Sequence, residues 1–401
     1  MNASDATISV SPRNPPARDF SLSAIVAGLI AVLVGFGGTA VLIVQAGHSA
    51  GLDAVHIGSW LASICLAVGV GGLVMSLRSR IPVVLAWSTP GAALLVTALV
   101  GVPFDQAVGA FVLASVLTLA CGLFGWIDPI MRRVPAEIAS AMLAGVLLNF
   151  GLGIFTHLAN EPALILAMCA TYLLGKRLMP RYAIMAVMLV GLAVAAGAGQ
   201  LQLGDVDWQL TQFVWTTPSF TWQSAISIGI PLFVVALASQ NLPGLAILQA
   251  SGYQPGASRL VGATGLLSLL AAPFGSHGVT LAAITAAICT GPETHPDPAR
   301  RYIAGVAYGV FYILLSVVAG AVAVFFQALP QALIAALAGL ALLGAILGGM
   351  ASAMANPARR EAALITLLAT ASGFSVWGIG SAFWGLVAGL IAHWVFEYKQ
   401  R

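Results

Sequence analysis

Two short segments combine small, polar and aromatic residues in a way that suits the binding of an anion. The first is 87–91 (WSTPG) and the second is 274–278 (FGSHG), and a helix-prone apolar run follows each of them. A helix that begins at such a break points free backbone N–H groups and a partial positive charge at whatever lies before it. Two such ends that meet would form an anion site, for which a carboxylate is the natural occupant.

A third polar group interrupts another apolar segment. Ser239, Gln240 and Asn241 precede Pro243 and Gly244. Adjacent polar side chains are costly in such a segment unless they have partners. They can donate hydrogen bonds to a carboxylate, or they can tie membrane helices together, which is a common role of these residues. We favour ligand contact, because they face the paired breaks.

His277 is the only ionisable residue that the sequence predicts near this site. A histidine, with an ordinary pKa of about 6.5, can carry a proton. It can equally be a neutral residue that caps the helix after the break, and the sequence leaves both interpretations open. In the first apolar segment, Gly35 and Gly38 would allow close approach to a flat ligand, although helix packing explains them equally well. The candidate substrate-binding residues are Gly35, Gly38, Trp87, Ser88, Thr89, Gly91, Gln240, Asn241, Phe274, Ser276, His277 and Gly278.

The composition places the chain in a membrane. Of its 401 residues 60% are hydrophobic and only 7% are charged, and the mean hydropathy is +0.99. Soluble domains carry about 25% charged residues, so the solvent for this surface must be lipid. The sequence has no P-loop, nucleophile elbow, metal-ligand cluster or nucleic-acid patch. We therefore predict a carrier without a cofactor, not an enzyme, driven by an ion or substrate gradient.

The basic residues set the topology. A helix needs about 20 apolar residues to cross the hydrocarbon core. All sixteen Lys and Arg residues lie in the tails or in alternate loops, which places both termini in the cytoplasm of a bacterial inner membrane. Residues 1–20 are predicted to be a disordered cytoplasmic tail, and 201–222 an extracytoplasmic, interfacial loop. The fourteen predicted crossings are 22–46, 57–77, 82–101, 105–127, 135–155, 162–176, 181–199, 223–250, 256–271, 275–290, 301–327, 330–350, 360–376 and 378–396.

Two of these crossings are too short to be whole helices. Arg259 and Arg300 are both cytoplasmic, yet the chain must cross the membrane and return within the stretch 260–299. An extended segment rises more than twice as far per residue as a helix, so at least one of these two crossings is predicted to be part extended, with its break at 272–278. The segment 87–91 interrupts the third span in the same way, so the third and tenth spans are predicted to be half-helices. Non-helical backbone at membrane depth is tolerated only inside protein or along a cavity. Paired breaks of this kind therefore indicate a transporter site.

The two halves of the chain repeat one another in inverted topology. The matched segments are 43–47 with 247–251, 87–94 with 274–281, and 135–153 with 330–348. They align the first span with the eighth, the third with the tenth and the fifth with the twelfth. Each half therefore holds seven spans. Because seven is an odd number, the second half enters the membrane in the opposite sense. The prediction is an all-α protein with a 7+7 inverted repeat, whose halves are 21–200 and 223–401.

At these residues the sequence resembles the benzoate/proton symporter (BenE) family. The resemblance covers nearly the whole chain and is strongest at 86–92 (AWSTPGA), 239–244 (SQNLPG) and 273–279 (PFGSHGV). The architecture is similar to that of nucleobase/ascorbate transporters and sulfate permeases. The resemblance implies a core domain of spans 1–4 and 8–11, a gate domain of spans 5–7 and 12–14, and elevator-like movement in a possible homodimer.

The sequence departs from the nucleobase carriers at the position of their two glutamates. Gln240 stands where the first would be, and Ser276 or His277 stands near the second. A nucleobase presents N–H donors, whereas a carboxylate presents acceptors, so the change fits an aromatic anion. The resemblance implies proton-coupled uptake of benzoate or a related aromatic carboxylate. The alternatives are a nucleobase or inorganic-anion permease of the same architecture, or an anion channel.

Overall fold

The computed structural model is mostly helical. Most of the tail predicted at 1–20, and part of the loop predicted at 201–222, lie outside the residues it describes. The described residues are 19–127, 135–201, 210–282, 284–377 and 379–398.

Apart from short 3-10 turns, the described residues form fourteen helical segments. Eight of them are long and apolar enough to cross a membrane, by length and composition. The segments are α1 (Leu22–Ser49), α2 (Ala54–Ser79), α3 (Thr89–Ala98), α4 (Phe104–Phe124), α5 (Ala136–Thr156), α6 (Pro162–Leu178), α7 (Ala183–Gly197), α8 (Trp222–Ala250), α9 (Ala257–Ala271), α10 (Ile284–Thr290), α11 (Tyr302–Gln327), α12 (Gln331–Ala353), α13 (Arg360–Ala371) and α14 (Ser381–Tyr398).

Two extended segments precede the short helices α3 and α10. β1 (Leu85–Trp87) and β2 (Val279–Leu281) form an antiparallel ribbon in which Trp87 lies opposite Val279. The sequence predicts a helix from Val279 onward, but the chain is extended there and α10 begins at Ile284. The reason is that β2 finds backbone partners in β1, which a helix at the same place could not use. A second small ribbon pairs β3 (Ser375–Val376) with β4 (Ile379–Gly380).

Helix α8 is widened at two places, and each lies just before a proline. The helix is of the π form at Ala225–Gly229 and at Leu237–Asn241, followed by Pro231 and Pro243. Proline has no N–H to give to the preceding turn, and its ring clashes with the carbonyl four residues back. The extra residue in each widened turn relieves this conflict, and such turns are common at functional sites. The second one carries Gln240 and Asn241.

Small residues lie at the most extensive contacts between helices. α2 packs extensively against α11, α4 against α9, and α5 against α12. At the α4–α9 crossing, a Cβ atom added to Gly122 would lie 2.2 Å from the Cα of Gly262. Close contact of this kind is how membrane helices associate where lipid removes the hydrophobic driving force.

The described part of the loop after α7, residues 210–221, is an extended segment that we call the strap. The backbone N–H of Val214 donates to Oγ of Ser59 at 2.9 Å, and that of Thr216 donates to the carbonyl of Pro273 at 2.7 Å. Because the strap bonds to α2 and to the chain after α9, its backbone is satisfied by the protein. Trp215 remains 60% exposed, which is compatible with the interfacial position that the sequence predicts.

Candidate substrate site

The two-stranded ribbon is held by side chains of the surrounding helices. The backbone N–H of Leu281 donates to Oδ1 of Asn241 in α8, and the hydroxyl of Tyr308 in α11 donates to the carbonyl of Leu85. These distances are 2.9 and 2.7 Å. Leu85 and Leu281 face each other as a pair whose own backbone groups point outward, so these groups require external partners. Two helices therefore complete the hydrogen bonding of the ribbon from opposite strands.

Ser268 of α9 supplies a third support. Its Oγ accepts a hydrogen bond from the N–H of Val279 at 2.7 Å and lies 3.2 Å from the carbonyl of the same residue. Within the ribbon, the hydroxyl of Thr280 donates to the carbonyl of Ala86 at 3.2 Å. Unpaired backbone groups are expensive away from water, and here helices that surround the ribbon pair them.

Helix α3 begins at a buried serine. Ser88 is the N-cap, and its Oγ accepts a hydrogen bond from the N–H of Gly91 at 3.0 Å. Pro90 occupies the first turn, where its missing N–H costs nothing. The backbone N–H of Ser88 also donates to the carbonyl of Gly278 at 3.3 Å, which extends the ribbon by one pair. The positive end of α3 is thereby fixed against the second break. Residue 283, before α10, lies outside the described residues, so the second helix end that the sequence predicts is not described.

His277 connects the two breaks to α2. Its Nε2 lies 3.0 Å from the carbonyl of Ser88, and its Nδ1 lies 3.1 Å from the indole nitrogen of Trp60. An indole N–H can only donate, so Nδ1 accepts and Nε2 carries the proton. His277 is 1% exposed. These contacts suit a neutral ring, although its partners are Trp60 and Ser88 and not the helix after the break.

Aromatic rings surround Trp87. Phe36 of α1 and Tyr312 of α11 meet its ring at centroid distances of 5.8 and 5.9 Å, with interplanar angles of 75° and 81°. Edge-to-face contacts of this kind are favourable for aromatic pairs. Gly35 of α1 allows Tyr312 to approach this helix closely, since a Cβ atom at this glycine would lie only 3.3 Å from the tyrosine oxygen. It would also lie 3.2 Å from a methyl group of Thr285.

Three of the candidate residues bury a polar atom that has no hydrogen-bond partner among the described residues. These atoms are Nε1 of Trp87, Nδ2 of Asn241 and Oγ of Ser276. Each of the three residues is at most 2% exposed. Buried polar groups in folded proteins almost always have partners, so each exception requires an explanation. Two of these atoms are N–H donors and the third is a hydroxyl, so each of them could donate a hydrogen bond to an acceptor.

The other candidate residues have different surroundings. Gln240 and Thr89 are half-buried, and no side-chain hydrogen bond is recorded for either among the described residues. Phe274 packs against the strap, with Phe213 at 5.9 Å and Trp215 at 5.5 Å between ring centroids, and not against Trp87.

The remaining candidate glycines are backbone positions. Gly38 lies in α1, near Gly35 in the same helix. Gly278 has a φ of +141°, in the region that only glycine adopts readily, so the turn between His277 and β2 requires this residue.

Several residues at the site have no motif or spacing that would identify them from the sequence. Trp60, Phe36 and Ser268 lie in unbroken apolar helices, where a single such residue is ordinary. Tyr308 and Tyr312 could have been noticed, because hydroxyl-bearing residues four positions apart share one face of a helix. Both tyrosines are at most 1% exposed.

Structures of known transporters have a similar fold. The murine Slc26a9 anion transporter in its inward-facing state aligns with a TM-score of 0.64 at 14% identity, over 96% of this chain and 69% of that one. The transmembrane domain of the cyanobacterial bicarbonate transporter BicA aligns with a TM-score of 0.54 at 13% identity, over 94% of this chain and 96% of that one. Identities this low show the fold alone.

Sequence relatives cover almost the full chain. The inner membrane protein YdcO of Escherichia coli (strain K12) is 43% identical over 373 residues, which are 93% of this chain and 95% of that protein. The benzoate membrane transport protein of Acinetobacter baylyi (strain ATCC 33305 / BD413 / ADP1) is 39% identical over 378 residues, 94% of this chain and 96% of that protein. Residues 18–395 match the family described as benzoate membrane transport protein, BenE. The chain is therefore a membrane transport protein and belongs to the BenE family.

Proposed function

We propose that this transporter takes up benzoate or a related aromatic carboxylate together with protons. The observation that carries the proposal is the set of buried donors without acceptors, Nε1 of Trp87 and Nδ2 of Asn241. A carboxylate brings acceptor oxygens to such donors, and hydrogen bonds to a charged acceptor are the stronger ones. A nucleobase would bring N–H donors of its own, which these two groups could not accept.

The aromatic contacts support a flat, apolar ligand. Phe36 and Tyr312 present their rings around Trp87, and Gly35 lets Tyr312 pack closely against α1. An aromatic ring gains from edge-to-face and offset contacts with such a wall, in addition to the area that it buries. The Acinetobacter relative is named a benzoate membrane transport protein, which agrees with this substrate class.

The end of α3 supports the placement of the carboxylate. Its first turn directs backbone N–H groups and a partial positive charge toward the ribbon. Ser88 already occupies the N–H of Gly91. Thr89, half-buried at the first position of α3, and Gln240, half-buried in the widened turn of α8, remain candidates for contact with the substrate.

The proposed architecture is fourteen crossings in a 7+7 inverted repeat with α3 and α10 as half-helices. Its support is the packing pattern. The three most extensive helix contacts are α2–α11, α5–α12 and α4–α9. When each helix is replaced by its repeat partner seven helices away, the α2–α11 contact becomes the α9–α4 contact, and α5–α12 becomes itself. The core of α1–α4 and α8–α11 packs mainly within itself, as does the gate of α5–α7 and α12–α14. We propose that the core moves against the gate, that both termini are cytoplasmic and that two copies form a homodimer.

Proton coupling is part of the proposal, but the residue that carries the proton is not assigned by it. His277 remains a prediction for this role, and its two hydrogen bonds support the neutral alternative.

A binding competition tests the substrate class. Purified protein in detergent should bind labelled benzoate, and other small aromatic carboxylates should displace it, whereas equal concentrations of uracil and sulfate should not. Displacement by uracil or by sulfate would favour a permease for nucleobases or inorganic anions instead. Flux that does not saturate with benzoate concentration would favour a channel.

A further inference from the structure

Trp60 is a fully buried tryptophan of α2 whose indole nitrogen lies 3.1 Å from Nδ1 of His277. We propose that Trp60 is a positioning residue that holds His277 neutral and protonated at Nε2, so that His277 ties the second break to the start of α3. The proposal deepens the proposed function because the ribbon lies at the substrate site. Its first test does not depend on any substrate.

The position of the Trp60 ring is fixed on several sides. Its centroid lies 5.8 Å from that of Phe104 and 5.7 Å from that of Phe111, both in α4. The His277 ring lies 5.7 Å away at an interplanar angle of 67°. A ring held by three neighbours presents its N–H in one direction, toward Nδ1.

The two hydrogen bonds of His277 exclude a second proton while they persist. A proton on Nδ1 would place a ring N–H against the indole N–H of Trp60, which has no lone pair to accept it. A tautomer with the proton only on Nδ1 would in addition point the lone pair of Nε2 at the carbonyl of Ser88. Protonation therefore requires that Trp60 move away, in a buried region where an unpaired donor is costly.

No recorded hydrogen bond or ion pair joins the His277 ring to a charged group in the described part of the chain. The ring contacts Trp60 on α2 and the carbonyl of Ser88 before α3, and neither of these groups titrates near neutral pH. The carbonyl of Ser88 would favour an imidazolium, whereas the burial of the ring and the indole N–H of Trp60 oppose it. The same contacts connect three parts of the core: α2, the turn before β2 and the first residue before α3.

Nitrogen NMR of ¹⁵N-histidine-labelled protein tests the tautomer directly. The five other histidines are removed one at a time to assign the signal of His277. Between pH 5 and pH 8 the wild type should show one pyrrole-type nitrogen, Nε2, and one pyridine-type nitrogen, Nδ1, without titration. An imidazolium signal at pH 6 to 7 in the wild type would overturn the proposal.

Variant W60F removes the N–H and keeps an aromatic ring. Nδ1 then loses its donor, so His277 should become titratable, and uptake of benzoate should acquire a new dependence on acidic pH. Trp384 is the matched control, because its indole N–H also donates a hydrogen bond, to the carbonyl of Val376 at 3.4 Å, but the tryptophan is only half-buried and its partner is not a histidine. W384F should leave the histidine spectrum and the pH profile unchanged. A W60F spectrum identical to that of the wild type would contradict the proposal, and if W60F does not fold, the wild-type spectrum alone decides.

Replacement of His277 separates a neutral tie from a proton carrier. Glutamine can accept from Trp60 with its amide oxygen and donate to Ser88 with its amide nitrogen, whereas it cannot be protonated. H277A should lower uptake at least about tenfold, and H277Q should recover part of that loss together with the response to a pH gradient. H277Q protein that binds benzoate but ignores the gradient would assign the proton to His277 and overturn the proposal. If neither the wild type nor any variant binds benzoate, but the histidine spectrum is the one expected here, the result would count against the proposed substrate and not against the role of Trp60.

Discussion

The amide of Asn241 has one bonded and one unbonded end. Its oxygen accepts a hydrogen bond from the backbone N–H of Leu281 at 2.9 Å, and its nitrogen is buried without a partner among the described residues. The first contact holds β2 against α8, and the second leaves a donor beside the ribbon. The same side chain that supports the irregular backbone therefore also offers the donor that we propose for the substrate.

Variant N241D should separate these two roles. The carboxylate keeps an acceptor for Leu281, but it replaces the free donor with an oxygen that repels an anion. Benzoate affinity should fall by roughly tenfold or more at pH 8, where the carboxylate is ionised. Isothermal titration at pH 8 measures this effect. Affinity equal to that of the wild type at pH 8 would show that this amide does not contact the substrate.

Variant W87F should weaken binding without loss of stability. It removes an indole N–H that has no recorded partner and retains a ring between Phe36 and Tyr312. Hydrogen bonds to charged groups contribute about 1.5–3 kcal/mol, so the dissociation constant for benzoate should rise roughly 10- to 100-fold. The melting temperature without substrate should change little. A large fall in melting temperature with unchanged affinity would make Trp87 a purely structural residue.

Variant G122A should destabilise the contact between α4 and α9. The added methyl group would lie 2.2 Å from the Cα of Gly262, and backbone cannot yield as a side chain can. A cost of about 1–3 kcal/mol is expected, as for other overpacked sites. G344A in α12 is the control, because nothing lies within 4 Å of its added Cβ. Thermal unfolding in detergent compares the two, and equal melting temperatures would contradict the close crossing.

Cysteine labelling tests the proposed orientation. Leu210 in the strap is 71% exposed, and Ala358 between α12 and α13 is also exposed. In a C169S background, a membrane-impermeant maleimide should label L210C in intact cells but A358C only after permeabilisation. Cys65, Cys121 and Cys289 are buried and should contribute little background. The reverse labelling pattern would place the termini outside.

The breaks in the chain could be predicted, whereas their pairing could not. Pro90 and Pro273 mark interruptions of apolar segments, and proline near a helix start has a local physical meaning. The hydrogen bonds between β1 and β2 join residues about 190 positions apart, and neither strand has the alternating pattern of a longer strand. For this reason the sequence predicts a helix at Val279, where the structure has a strand.

The residues whose hydrogen bonds support the site could not be predicted from the sequence either. Trp60 and Tyr308 each act through a hydrogen bond to a residue more than 200 positions away, so no spacing reveals them. Ser268 bonds the nearer Val279, but only because the chain turns back between α9 and β2. The sequence predicts Phe274 at the site as part of the second break, but its side chain contacts the strap. Local order along the chain could not foresee which way this ring points.

Uptake into proteoliposomes tests the central claim most directly. Wild-type protein reconstituted into vesicles with an alkaline lumen and an acidic exterior should accumulate labelled benzoate above its external concentration, beyond the accumulation in protein-free vesicles, which corrects for passive entry of benzoic acid. A protonophore should abolish the protein-dependent part, and W87F should reduce it. Protein-dependent accumulation that is the same with and without the pH gradient would contradict proton coupling, and the absence of any protein-dependent benzoate flux would contradict the proposed substrate.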